Sequence, residues 1–305
     1  MKRYQKVLAL LLISLMALSL SGCSLITITK TASNMNNLKS VSADTVLNLS
    51  VDMAMMGETS PFEIAVSGPF DFDLANGKGK GDLTLDLMGE NVNLLLYYER
   101  LEDKVVIYTS ADSGETWSKN ETSLSDQQEK GSSDLKSLAM IKKLSKSFEE
   151  TGTEIVRGKE AVIYSGTILW KDLVGDVDLS SAAEAAGSAS GMQFDLSDLD
   201  LTTLGSIPLT VGYDKENDLI VKGSADLTET VQNLIPMIMK VAMKSIAAES
   251  GMEDSSEMED FDPIDLGFTM DIQTLTVSAE LYNFDAVGEI TIPPEALAAK
   301  VAAAA

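Results

Sequence analysis

The sequence has no histidine and a single cysteine, Cys23. Without histidine there is no Ser-His-Asp triad, no imidazole general base and no histidine metal ligand. A lone thiol excludes an intrachain disulfide, so the fold must rest on its apolar core. Basic residues are also scarce. Twenty-three Lys+Arg stand against 47 Asp+Glu, a net charge of −24. That balance argues against nucleic acid, whose phosphates it repels, and against a face that clings to anionic lipid by charge. Solubility at a crowded, anionic surface accounts for it. The apolar run over residues 7–20 is shorter than the roughly 20 residues a spanning helix needs. What the chain does have is apolar content, 45%, enough for a folded domain rather than a disordered one.

The lone cysteine ends a leader. Lys2, Arg3 and Lys6 make a basic start, residues 7–20 an apolar middle, and Ser21 and Gly22 a small-residue end. These are the parts of a secretory signal. Leu20-Ser21-Gly22-Cys23 resembles the lipobox of bacterial lipoproteins. The resemblance implies cleavage before Cys23 and acylation of its thiol, with palmitate-type chains that anchor the protein at the extracytoplasmic face of the cell membrane. Residues 1–22 are then a signal peptide, 23–40 a tether and 41–305 a single domain. Removing the leader leaves 20 basic against 47 acidic residues, a balance of −27.

From Thr45 the pattern has period two. Leu47, Leu49, Val51, Met53 and Met55 share one face, against Asn48, Ser50 and Asp52. Phe62, Ile64, Val66, Phe70, Phe72 and Leu74 repeat it, with Gly68-Pro69 marking a bulge or edge. Asn76-Gly77 is a hairpin signal; Leu83, Leu85 and Leu87 follow, then Val92, Leu94, Leu96 and Tyr98. Short strands over 105–108 and around Trp117 complete an antiparallel meander with one buried face. At 134–148 the period changes: Leu135, Leu138, Ile141, Leu144 and Phe148 define a helix that Gly152 would end. A hairpin around Arg157-Gly158-Lys159 follows. Residues 180–186 are Ala-rich and read as helix, and 187–191 as a linker. Strands over 207–213 and 219–227 lead to a methionine-rich helix at 228–248, capped by Thr228 and carrying Pro236. Residues 249–265 are an acidic loop. A strand over 268–281 has a phase slip near Thr274, which predicts a bulge. A last strand is expected over 288–292, and Pro293-Pro294 starts a short tail helix.

This order resembles the LolA/LolB/LppX superfamily of lipoprotein and lipid carriers. It runs from lipobox and tether through meander, inserted helices and late hairpins to an Ile-Pro-rich ending. The local marks are the meander from Val46, the Trp117 strand, the Gly158-Lys159 turn, and residues 213–222 and 282–293. The resemblance implies an α+β fold: a curved antiparallel sheet, an unclosed half-barrel, with helices covering its concave face. It implies lipid or acylated cargo in some members and protein partners in others, and fold alone does not choose.

The lining of such a face falls to Leu47, Leu49, Val51, Phe62, Ile64, Phe70, Phe72, Leu94, Leu96 and Val277. Filled core and ligand cavity are both open for these residues. Ile235, Met239 and Met243 would form a lid, or ordinary core, because methionine adapts to irregular apolar shapes. The acidic loop and Asp71-Phe72-Asp73 lack calcium-loop spacing, so no metal and no cofactor are expected. Asp195 with Asp198, and Glu149 with Glu150, are carboxylate pairs, but nothing in the pattern brings two to one cleft, and no enzyme is expected. Two readings stand: a surface lipoprotein binding a lipid or acyl chain, and a filled-core structural or sensory lipoprotein with a protein partner.

Overall fold

The computed structural model describes residues 31, 34–35, 37–55, 58–123, 147–173, 201–237 and 268–301. The leader with Cys23, most of the predicted helix at 134–148, the Ala-rich stretch and the acidic loop lie outside these residues. The strands are β1 (Ser40–Met55), β2 (Glu58–Asp73), β3 (Lys78–Leu87), β4 (Glu90–Arg100), β5 (Lys104–Ser110) and β6 (Ser118–Ser123), then β7 (Phe148–Val156), β8 (Lys159–Leu169), β9 (Ser206–Asp214), β10 (Leu219–Asp226) and β11 (Phe268–Tyr282). The helices are α1 (Trp170–Leu173), α2 (residues 228–237) and α3 (Pro294–Leu297).

All the strands join one antiparallel sheet in the order β6-β5-β4-β3-β2-β1-β11-β10-β9-β8-β7. Two meanders are thus joined where β1 pairs with the late strand β11. The sheet curves without closing: β6 and β7 are its edges and do not pair with each other among the described residues. This is the half-barrel expected from the sequence.

Register puts the apolar set on one face, as period two requires. Leu47 lies opposite Val66 on one side and Val277 on the other. Val277 in turn meets Ala225, and Ala225 meets Leu209. These residues, with Val51, Leu83, Leu94, Ile168, Ile207, Leu227, Ile272 and Leu275, form one buried cluster. Val231 and Ile235 of α2 pack against it, so the helix covers this concave face. The predicted slip in β11 is real: Ser50 pairs with Thr274 but Val51 with Ile272, which leaves Gln273 as the extra residue. Gly68-Pro69, expected as a bulge or edge, inserts no residue: β1 and β3 both keep register across it. Gly68 has φ 145°, and a Cβ there would sit 2.3 Å from the Asp82 carbonyl oxygen, a position only glycine fills without displacing backbone.

Three elements differ from expectation. Phe148 does not close a helix; it opens β7, where it lies opposite Gly166 and packs on the core. Gly152 is then not a helix end but the irregularity in that strand, at φ 151°. Residues 288–292 are not a strand. Asn283 and Asp285 adopt positive φ, which breaks the extended run after β11 and turns the chain across the convex face. The Asp285 N–H donates to the Ser40 carbonyl (2.9 Å), the Val287 N–H to Ser40 Oγ (3.1 Å), and Asn283 Nδ2 to Ser42 Oγ (3.2 Å). Ile290, Ile292 and Ala296 of this strap bury themselves against Tyr97, Val106 and Tyr108. Finally, Thr228 does not cap α2. Its Oγ1 instead accepts the Leu275 N–H of β11 at 2.9 Å.

On the convex face Arg157, at the tip of the β7–β8 hairpin, lies 3.6 Å from the centroid of the Tyr282 ring. It also pairs with Asp44 and Glu280, which ties the far meander to the β1–β11 seam.

Candidate apolar-ligand site

The predicted lining residues all fall on the concave face, and burial divides them into two groups. Leu47 (1%), Val51 (4%), Phe70 (7%), Leu94 (7%), Leu96 (6%) and Val277 (5%) have almost no exposed surface. They are filled core. Leu49, Phe62, Ile64 and Phe72 are only half-buried.

Leu49, Phe62 and Ile64 sit together at the distal end of the sheet, away from the start of β1. Register extends the group. Leu49 faces Ile64, which faces Leu87; Val66 faces Leu85, which faces Val92. Met53 continues the same face of β1 and lies opposite Met270 of β11. Leu85, Leu87, Val92 and Met53 are half-buried too, and Met270 is 38% exposed. The result is one apolar surface spread over β1 to β4 with β11 at its margin. Glu90, opposite Leu87, is a charged residue at its rim. Sequence reading missed Leu85, Leu87 and Met270 as lining, although their alternation with Thr84, Asp86 and Asp271 carried the signal.

Phe72 lies elsewhere, at the proximal end. Its ring stacks on Phe70 (centroids 4.4 Å apart) and meets Tyr98 at 6.4 Å. The rings lie over Gly79 and Gly81 of β3, where absent side chains leave them room. Burial pushes the Tyr98 hydroxyl pKa up, so this floor is apolar in character.

The root of α2 is fixed beside the distal surface. The Leu227 N–H donates to the Leu275 carbonyl (2.8 Å), and Gln232 Nε2 to the Ile272 carbonyl (2.6 Å). Trp170 Nε1 donates to Thr230 Oγ1 at 2.8 Å. The Glu229 carboxylate accepts from Ser206 Oγ (2.6 Å) and N–H (3.0 Å), and these two donors hold its pKa below the usual carboxylate range. Pairing of β10 with β11 ends at Asp226 and Thr276, so Leu275, the next residue along β11, has its backbone groups open to this helix. Ile235, named as a lid residue, therefore belongs to the anchored stretch packed on the core. Met239 and Met243 lie outside the described residues.

Polar candidates are engaged locally. Asp73 accepts from Asn76 N–H (3.1 Å) and Nδ2 (2.8 Å), and Asp71 from Ser42 Oγ (2.6 Å). Glu149 and Glu150 stand exposed on edge strand β7. Among the described residues no group of three or more acidic or sulfur ligands is placed to hold a metal.

No protein-family model matches the chain, and no curated protein does. Solved structures similar to it include the lipoprotein LppX of Mycobacterium tuberculosis. That likeness has 13% identity and a TM-score of 0.37, covering 88% of this chain and 97% of that one. LprF of Mycobacterium bovis is similar at 12% identity and a TM-score of 0.36, with 89% and 96% covered. A putative outer membrane lipoprotein-sorting protein domain of Vibrio parahaemolyticus is similar at 8% and 0.22, with 87% and 93% covered. At such scores the fold rests on the strand pairing described above.

Proposed function

We propose that this protein is a membrane-anchored, extracytoplasmic lipoprotein that is not an enzyme and binds an apolar molecule, a lipid or acyl chain, on the distal concave surface. One observation carries the reading. Leu49, Phe62, Ile64, Leu85 and Leu87 form a continuous apolar surface that is half-open, next to a core that is otherwise filled. Contiguous apolar surface left open beside a packed core marks a binding site. Each methylene of a bound chain removed from water contributes about 0.8 kcal/mol, and no charged partner is needed along its length. The mechanism is sequestration: the sheet supplies a rigid wall, and the pinned root of α2 fixes one side of it.

The filled central core favours the rival, a structural or sensory lipoprotein with a protein partner. Native mass spectrometry of detergent-free protein separates the two. Co-purifying lipid, or saturable uptake of a fluorescent fatty acid, supports the carrier. A clean apo mass with no uptake defeats it. Cys23→Ala is expected to abolish labelling by palmitate analogues; persistent labelling would refute the anchor.

A further inference from the structure

We propose that the proximal end of the half-barrel rests against the lipid bilayer, with Leu74 and Leu101 as its contact residues. The inference depends on acylation of Cys23 and goes beyond it by fixing how the domain faces the membrane.

The chain joins the folded body before β1. Thr31 is 4% exposed, and residues 31, 34 and 35 are helical. Asn34 Nδ2 donates to the carbonyls of Asn217 and Asp218 in the β9–β10 turn, at 3.4 Å each. The Lys39 N–H donates to Asp285 Oδ1 at 2.6 Å, and the Lys39 carbonyl accepts the Ala75 N–H at 3.1 Å. The docked segment shortens the leash. From Cys23 to Thr31 the chain spans at most roughly 28 Å at about 3.5 Å per residue. A chain free as far as Ser40 would span roughly 60 Å. The body is held close, and by this end.

The hairpin turns between β2 and β3, β4 and β5, β7 and β8, and β9 and β10 all lie here. Two of them hold leucines out to solvent: Leu74 at 45% exposure and Leu101 at 39%. The turns form one surface, since the Arg100 N–H donates to the Gly77 carbonyl at 2.7 Å. Exposed Lys39, Arg100, Lys159 and Lys215 are offset by exposed Glu102, Asp103, Glu160 and Glu216. The contact is therefore apolar and insensitive to salt, which agrees with a chain too acidic to bind lipid by charge. The opposite end has its own exposed apolar residue, Met88 at 65%, but it lies beyond the ten residues of β3, roughly 34 Å further from the anchor.

The test uses the full mature protein, with acylation read by intact mass. It is reconstituted into vesicles of equal parts phosphatidylcholine and phosphatidylglycerol. Leu74→Cys, Leu101→Cys and Met88→Cys are labelled in turn with a nitrobenzoxadiazole fluorophore; an acylated Cys23 offers no competing thiol. Labels at 74 and 101 are expected to brighten about twofold or more, as probes do at headgroup depth, and to be quenched by spin-labelled lipid at low and high salt alike. The label at 88 is expected to stay as in solution. Brightening at 88, or none at 74 and 101 in vesicle-bound protein, overturns the orientation. An unacylated Cys23 overturns it as well. Fatty-acid uptake measured on the same samples reports separately on the concave surface.

Discussion

Replacing Gly79 or Gly81 by alanine sets two effects of opposite sign against each other. In a strand, glycine is worse than alanine by about 0.5–1 kcal/mol through chain entropy. On that ground either substitution would stabilise. The rings above these glycines decide otherwise. A Cβ at Gly79 would lie 2.3 and 2.4 Å from two carbons of the Tyr98 ring and 2.8 Å from Phe70; at Gly81 it would lie 2.8 and 2.9 Å from Phe70. Phe70 is 7% exposed and stacked on Phe72, so a shift in one ring passes to the next. Overpacking of this kind costs about 1–3 kcal/mol. The net expectation is a loss of about 0.5–2 kcal/mol for Gly79→Ala, and less for Gly81→Ala. Urea unfolding followed by circular dichroism measures it. Gly288→Ala, where no atom lies within 4 Å, is the control and is expected to be neutral or mildly stabilising. If Gly79→Ala equals or exceeds the parent in stability, the aromatic floor is not packed as described.

Leu47→Ala is expected to cost about 2–5 kcal/mol in unfolding and to leave fatty-acid affinity little changed. Phe62→Ala is expected to do the reverse, with a smaller stability loss and roughly tenfold weaker uptake, equivalent to about 1.4 kcal/mol; equal effects on both would erase the division between core and site. Asp112 accepts hydrogen bonds from the Thr116 side chain, the Thr116 N–H and Ser110 Oγ, which lower its pKa from 3.8 to about 2. Because the folded-state value is depressed, its contribution is present above pH 3.8 and is lost as pH falls through that range towards 2. Asp112→Asn should therefore flatten the acid slope of stability between those values, and an unchanged slope would count against the turn. Arg157→Ala removes the contact with the Tyr282 ring and the pairing to Asp44. About 0.5–1 kcal/mol is expected for a site this exposed, and thermal unfolding that does not shift would show the clamp to be idle.

Much of the sheet was legible because its signal is local. Strict alternation from Leu47 to Met53 and from Leu83 to Leu87 needs no tertiary knowledge, and the β11 bulge announced itself as a slip in phase. Phe148 was misread because Leu135 to Leu144 shares its helical spacing, and only pairing with β8 reveals the strand. Residues 288–292 alternate like a strand, yet positive φ at Asn283 and Asp285 sends them across the convex face. The hydroxyl of Thr228 was assigned to its own helix; a partner some 50 residues later, just past the end of the β10–β11 pairing, took it. The concave residues could be listed by face, but period two cannot separate Leu47 from Leu49. That separation depends on where α2 and the neighbouring strands end, which is a property of the assembled fold.

A photoactivatable fatty acid, cross-linked to the protein and mapped by peptide mass spectrometry, tests the central claim most directly. Adducts are predicted on the concave distal residues, Leu49, Phe62, Ile64 and Leu87, and none on convex Val46, which is 37% exposed. Adducts spread over Val46 and the strap at 283–297, or none at any lipid concentration, would contradict it.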